Sequence, residues 1–362
     1  MFERNVGDES RPRVVHVVQR MAPGGIETLV LDLVTRSGFR SYIFSRADEL
    51  ARGWQALSSA SGMLIAFDRK PGLSPSLVGH MAARFRELKP HLVVAHHLGP
   101  LIYAGLAARL AGVPHLIHVD HDVWHYDNPR SRLLARAVAA LSRPRHIAVC
   151  KSVALAMRKI FGWDDVAVVH PAIATPRFLP GDKNTARSRL GFDPRWKLVG
   201  TVGRLVHIKG HAVLVQALAS LPNFVHLVIV GDGCELARLQ AKAARLGVDG
   251  RLHFLGHRDD LEHVLPAFDV FCLPSLAEGL PRSVLEAQSC DLPVVASDVG
   301  GLSEVMCART GTLVPPADPV ALANALQQIL REPLERGTTR KFVEREFSWS
   351  RTFHAYEGFL ET

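Results

Sequence analysis

No stretch of about 18 uninterrupted apolar residues occurs anywhere in the 362-residue chain, which argues against a transmembrane helix. Cysteine is scarce. Cys150, Cys234, Cys272, Cys290 and Cys307 are odd in number and form no C-x-x-C pair. A disulfide framework or a cysteine zinc site is therefore not expected, a reducing compartment fits, and each cysteine reads as a small buried hydrophobe. The sequence also lacks a short-period repeat, a low-complexity tract, a G-x-G-x-x-G fingerprint and a Walker A loop. Met1 to Arg13 has no apolar core of the secretory-signal kind and reads as a frayed tail over residues 1–12.

Acidic charge is short in the first half. The formal net charge is +8, and residues 1–180 carry +9 against −1 for residues 181–362. The densest basic run holds Arg130, Arg132, Arg136, Arg143, Arg145, Lys151, Arg158 and Lys159 with no acid among them. Nucleic acid, a membrane surface and anionic substrates are the partner classes that such a balance leaves open. Hydrophobic residues at 48% and charged residues at 22% are ordinary for a globular protein and argue against a mostly disordered chain.

Short β-branched runs alternate with helix-length amphipathic segments. Strands are expected to begin at Val14, Ser41, Met63, His91, His115, His146 and Val166, with helices such as Ser76 to Leu88 and Pro100 to Leu110 between them. Residues 171–196 hold four prolines and no clear strand, and read as a linker. Alternation restarts at Lys197 and runs through Val225 to Val230, Arg251 to Phe254, Val270 to Leu273, Val294 to Ala296 and Thr312 to Val314. Near-continuous apolar strands separated by helices predict parallel sheets covered on both faces. The expected architecture is α/β: two doubly wound Rossmann-like domains, 1–180 and 181–335. Helices over 336–362 would pack back toward the first domain. The apolar stripe Phe342, Phe347, Trp349, Phe353, Tyr356 and Phe359 reads as packing.

Ligands of open parallel sheets bind beyond the carboxyl ends of the strands, so residues that follow strands matter most. The first strand leads into Gly24-Gly25 and a helix start, where backbone can approach an anion. The fifth leads into Asp120-His121-Asp122-Val123-Trp124-His125. A metal site on His118, His121 and His125, an Asp120-x-Asp122 metal pair, a structural histidine, and His121 with Asp122 as a substrate-facing pair all compete there. In the second half, Gly203-Arg204 and Lys209-Gly210 place a guanidinium fork and an ammonium five residues apart, a pair suited to a diphosphate. The strongest signal is Ser275 to Ala287, in which Glu278 falls in a loop and Glu286 in the following helix, separated by seven residues. The amides between them would form an anion-binding helix start, with Pro281 in its first turn.

This block resembles the E-x7-E signature of retaining GT-B glycosyltransferases, in particular the family numbered four. The Gly24-Gly25 turn, His121-Asp122, Gly203-Arg204-Leu205 with Lys209-Gly210, Gly231-Asp232-Gly233, Leu255-Gly256-His257 and Ser297 to Gly301 match in the same order. Pro171-Ala172-Ile173-Ala174 departs from the Asn-Gly-Ile-Asp usual in the family. The resemblance implies a nucleotide-diphosphate sugar as co-substrate, no other cofactor and no metal. It implies that Arg204 and Lys209 hold the diphosphate and stabilise the leaving group, that Glu286 binds ribose, and that Glu278 with the amides of Gly279 and Leu280 holds sugar hydroxyls. Backbone near His257 and Arg258 would frame the base, Gly24 and Gly25 would touch the diphosphate, and His121 would contact the sugar. Catalysis would rest on Glu278, His121, Arg204 and Lys209. With no second carboxylate beside Glu278 to act as nucleophile, front-face attack with retention is the favoured route.

From Arg130 to Leu141, the apolar Leu133, Leu134, Ala137, Val138 and Leu141 share one helical face, and Arg132, Arg136 and Arg143 share another. Together with Arg145, these arginines read either as a solvated face or as a patch for anionic lipid or a lipid-linked acceptor. Basic residues are not interleaved with aromatics, and no nucleic-acid motif occurs, so nucleic acid is not expected as a partner. The expected activity is hexosyl transfer to a glycan or lipid-linked acceptor in polysaccharide or glycoconjugate assembly, in the cytoplasm, with attachment to the inner membrane face as an option. A sugar-nucleotide epimerase and a non-catalytic sugar-nucleotide-binding protein are the rivals.

Overall fold

The computed structural model describes residues 11–21, 24–45, 63–67, 74–331 and 337–361. Of the tail expected over residues 1–12, residues 1–10 lie outside them. Contacts divide the chain into two units, residues 1–171 with 350–362, and residues 172–349.

In the first unit, the described strands are β1 (Arg13–Val18), β2 (Arg40–Ser45), β3 (Leu64–Ala66), β4 (Leu92–His96), β5 (His115–Asp120), β6 (Arg145–Ala148) and β7 (Val166–Val168). They form one parallel sheet in the order β3-β2-β1-β4-β5-β6-β7. The helices are α1 (Gly25–Arg36), α2 (Pro75–Leu88), α3 (Leu98–Ala111), α4 (Pro129–Ser142) and α5 (Lys151–Phe161). All five residues of β4 are buried, as are Val14, Val15, Val17 and Val18 of β1, so the continuous apolar runs fill both sides of the sheet.

In the second unit, α6 (Lys183–Leu190) precedes β8 (Lys197–Val202), α7 (His211–Leu218), β9 (Val225–Val230), α8 (Leu236–Leu246), β10 (Leu252–Gly256), α9 (Leu261–Val264) and β11 (Val270–Leu273). Then follow α10 (Arg282–Ser289), β12 (Val294–Ser297), α11 (Leu302–Val305), β13 (Gly311–Val314), α12 (Pro319–Arg331) and α13 (Thr338–Glu346). The parallel sheet runs β10-β9-β8-β11-β12-β13. Alternate residues of its strands enter opposite cores: Val228, Phe271 and Val294 on one face, Leu227, Cys272 and Val295 on the other. Gly200 in β8 is required by packing, since a Cβ there would lie 2.0 Å from the Phe268 ring.

The expected linker differs from what forms. Residues 171–196 carry α6, and Ile173, Phe178, Ala186 and Phe192 join the second unit's core. The unit boundary therefore falls after Pro171, ahead of residue 180, because those side chains are core rather than spacer. The C-terminal stripe also divides. Val343 of α13 and Phe347 pack in the second core. The last helix, α14 (Trp349–Gly358), buries Tyr356 near His16 of the first unit, and Thr352 donates to the His170 carbonyl at 3.0 Å.

Candidate active site

In the second unit, the strand order reverses between β8 and β11, which opens the ligand position beyond their carboxyl ends. The loop after β8 closes in a 3-10 turn, His207–Lys209, ending at Gly210 with φ 64°. A Cβ at Gly210 would sit 1.9 Å from the Pro274 carbonyl oxygen, so only glycine lets this loop meet the one after β11. Leu276 N–H donates to the Ile208 carbonyl at 2.8 Å. The loop after β12 joins them: Gly301 N–H donates to Gly279 at 2.8 Å, and a Cβ at Gly300 (φ 58°) would lie 1.9 Å from the Glu278 carbonyl oxygen.

Three strand-end loops thereby fix Glu278, which is only 8% exposed. Its Oε1 accepts from Lys209 Nζ and from Ser275 Oγ, both at 2.6 Å. The ammonium has further N–H donors to offer an anion. Arg204 is exposed and forms no ion pair among the described residues. Glu286 is half-buried on α10, while its neighbours Leu285 and Ala287 enter the core. Gly279 and Leu280 precede that helix. Pro281 is its N-cap rather than a first-turn residue, because α10 starts at Arg282. After β10, His257 Nε2 lies 3.1 Å from Asp259, and Arg258 forms a two-pronged pair with Asp260 at 2.7 and 2.6 Å.

In the first unit, the reversal lies between β1 and β4. Gly24 caps α1 in extended backbone, and a Cβ at Gly25 would meet nothing within 4 Å, so the helix start is clear for approach. A histidine cluster occupies the ends of β1, β4 and β5. His121 Nε2 lies 3.0 Å from His96 Nδ1, and His96 Nε2 lies 3.2 Å from His16 Nδ1. Burial, with His97 beside it, lowers the His121 imidazole to about 3, and burial lowers His16 to about 4. His121 is therefore a neutral hydrogen-bonding group near neutral pH.

Asp122 faces His125 and His97 rather than His121. Its Oδ1 lies 3.3 Å from His125 Nδ1, and its Oδ2 lies 3.7 Å from His97 Nε2. The three histidines of the competing metal reading, His118, His121 and His125, are split, since His118 faces Asp120 and His146 whereas His121 faces His96. Burial alone would raise the Asp120 carboxyl, but His118, His125 and His97 hold it well below the usual range. For His125, burial acts downward and the two aspartates outweigh it, raising the imidazole to about 9.

The α4 stripe also differs from expectation. Ala135, Val138, Ala139 and Ser142 are its buried residues, whereas Leu133 and Leu141 are 71% and 63% exposed. Small side chains face inward because α3 lies close: a Cβ at Gly105 would be 2.9 Å from Ser142 Oγ. Arg132 donates to the Tyr126 carbonyl, Arg136 donates to the Ile160 carbonyl, Arg143 is the C-cap of α4, and Arg145 lies over the Phe359 ring.

Ser275 and His97 escape sequence reasoning. Ser275 was legible only as part of the Glu278 block. For His97 the available signal was its place directly after a strand.

Residues 197–332 match the family described as glycosyl transferases group 1, and residues 23–177 match that described as glycosyltransferase family 4. A D-inositol 3-phosphate glycosyltransferase of Rhodococcus opacus is 30% identical, covering 94% of this chain and 85% of its own. Anabaena HepE, crystallised with UDP, superposes with a TM-score of 0.86 at 22% identity, covering 96% of this chain and 99% of its own. Sucrose-phosphate synthase from Thermosynechococcus elongatus gives a TM-score of 0.81 at 21% identity, with 97% and 98% covered. At these identities the structural likeness concerns the fold, two parallel-sheet α/β units.

Proposed function

The chain belongs to the group 1 glycosyltransferases of the GT-B fold, and from that premise we propose that it moves a hexose or hexose derivative from a UDP-sugar with retention of configuration. The observation that carries this reading is the buried Glu278 carboxylate, held by Lys209 and Ser275 where the second sheet reverses. A sugar hydroxyl meets Glu278, while Lys209 and the exposed Arg204 take the adjacent diphosphate and stabilise the charge that develops as the bond to the sugar breaks. The amides of Gly279 and Leu280 bind the sugar, Glu286 binds the ribose, and the backbone at His257 and Arg258 frames the base. In the first unit, Gly24 and Gly25 are assigned to phosphate, and neutral His121 to a sugar hydroxyl.

UDP is favoured because the Anabaena neighbour was crystallised with it. No divalent ion is needed at the diphosphate, since Arg204 and Lys209 supply the positive charge. Attack is front-face, and the departing phosphate accepts the acceptor's proton. The acceptor is a glycan or a lipid-linked glycan. A phosphorylated inositol is the second reading, favoured by the name of the Rhodococcus relative. The arginines of α4 with exposed Leu133 and Leu141 form a face for anionic lipid on the cytoplasmic side of a membrane.

The test is nucleotide release from UDP-, GDP- and ADP-sugars, with and without magnesium. Release from a UDP-sugar without magnesium is expected, with Arg204→Ala slowing kcat by roughly 10²–10³-fold and Glu278→Gln also impaired. Release from no donor, with membrane extract and inositol phosphate supplied as acceptors, would instead support a sugar-nucleotide-binding protein.

A further inference from the structure

His97, Asp122 and His125 bring one ligand atom each to within 4.8 Å of one another at the carboxyl ends of β4 and β5. Each imidazole lies between two carboxylates. His97 offers Nε2 toward Asp122 at 3.7 Å and Nδ1 toward Asp120 at 3.5 Å. His125 offers Nδ1 toward Asp122 at 3.3 Å and Nε2 toward Asp120 at 3.5 Å. Asp120 is fully buried. Tyr126 O–H donates to its Oδ2 at 2.8 Å, but its Oδ1, His97 Nδ1 and His125 Nε2 are buried with no hydrogen bond.

Two carboxylates thus flank each of these imidazoles, and among the described residues no lysine or arginine forms an ion pair with either. Apart from the neutral Tyr126 hydroxyl, the side chains recorded against them are histidines, so the positive charge that burial demands is left to a proton or to a bound cation. The backbone at His97 is also unusual. It has φ 71° and ψ 170°, a conformation costing about 1–3 kcal/mol in a residue with a side chain, and strain of this kind clusters at functional sites. The His97 N–H is fixed on the Val119 carbonyl at 2.9 Å, which holds the imidazole over β5.

We propose that His97 Nε2, His125 Nδ1 and the Asp122 carboxylate bind one divalent transition-metal ion, zinc in the first instance, while Asp120 orients both imidazoles through their other nitrogens. Metal–ligand bonds of about 2.0–2.1 Å set tetrahedral ligand separations of roughly 3.3–3.4 Å, and the contacts of 3.3 and 3.7 Å to Asp122 already approach them. A carboxylate behind a ligating histidine fixes its tautomer and raises its basicity, and Asp120 stands in that relation to both rings. Two imidazoles with a carboxylate suit zinc, cobalt or nickel, whereas magnesium and calcium take oxygen ligands. The three side chains are 22–28% exposed, so solvent or an anionic oxygen reaches the remaining coordination position. None of the three ligands is assigned to the donor, although His121, which is, adjoins Asp122 in the chain.

The test uses the full chain stripped by a chelator, titrated with Zn²⁺ by calorimetry and with Co²⁺ by visible absorption. One ion per chain is expected, with no response to Mg²⁺. Asp122→Asn and His125→Gln should each abolish the Co²⁺ band. Asp120→Asn should weaken binding by about 10–100-fold. His354→Ala, at a 91% exposed side chain, should change nothing. Circular dichroism checks folding, and the near-isosteric Asp122→Asn keeps the test decisive if His125→Gln unfolds. No uptake by the unaltered chain would overturn the proposal, as would binding that survives both ligand substitutions.

Discussion

Ser275 donates to the same Glu278 oxygen as Lys209, so its loss leaves a buried carboxylate short of one partner. A hydrogen bond to a charged group contributes about 1.5–3 kcal/mol. Ser275→Ala is therefore expected to lower kcat/KM for the donor by roughly 10–100-fold without unfolding the chain, and Ser275→Thr should restore part of it; steady-state nucleotide release measures both. Asp269 makes a different residue-scale case. It accepts from Arg187 Nη2 at 2.5 Å, Lys183 Nζ at 2.8 Å and Leu198 N–H at 2.8 Å. Burial would raise this carboxyl, but the Lys183 bond, the Leu198 amide and the Arg187 charge hold it below its ordinary value of 3.8. The unfolded chain then binds more protons below that value, so the stabilisation is complete above about pH 4 and fades as pH falls through the depressed native value. Asp269→Asn should cost about 3–5 kcal/mol at neutral pH, because it strands the buried Arg187, and should flatten the acid limb of a urea-midpoint-versus-pH curve.

At the scale of elements, the loops after β8, β11 and β12 act together because two glycines let them touch. Gly300→Ala adds a Cβ 1.9 Å from the Glu278 carbonyl oxygen at a φ that side chains avoid. The strain of about 1–3 kcal/mol should lower Tm by several degrees and, by moving Glu278, reduce turnover more than stability alone would; thermal unfolding and kcat on one preparation separate the two effects. Helix α4 shows where a helical pattern misleads. Its leucines read as the packing face, yet Ala135, Ala139 and Ser142 are buried and Leu133 and Leu141 are exposed. Hydrophobicity alone could not reveal that α3 approaches too closely at Gly105 for a leucine to fit. The exposed leucines lie among arginines, so Leu133→Ser with Leu141→Ser should weaken binding to anionic vesicles, as raised salt should, in a flotation assay. Equal binding to neutral vesicles would refute a charge-led contact.

Across the whole molecule, the excess basic charge belongs to the first 180 residues, and Arg204, Lys209, Glu278 and Glu286 to the rest. Two parallel sheets, their strands and the positions of Arg204, Lys209, Glu278 and Glu286 were legible because each depends on short-range pattern. Apolar runs about five residues long dictate buried strands, and motifs directly after a strand fall at its carboxyl end. The sequence by itself determined this framework. The tertiary structure alone decided that His97 meets His125 and Asp122, because parallel pairing of β4 with β5 sets His96 level with Val119 and brings together loops distant in the chain. It alone decided that residues 172–196 contribute to a core, since Ile173, Phe178 and Phe192 find partners only once the second sheet exists. Periodicity records whether a side chain is buried, whereas its neighbour is chosen by the shape and volume of elements far away in sequence.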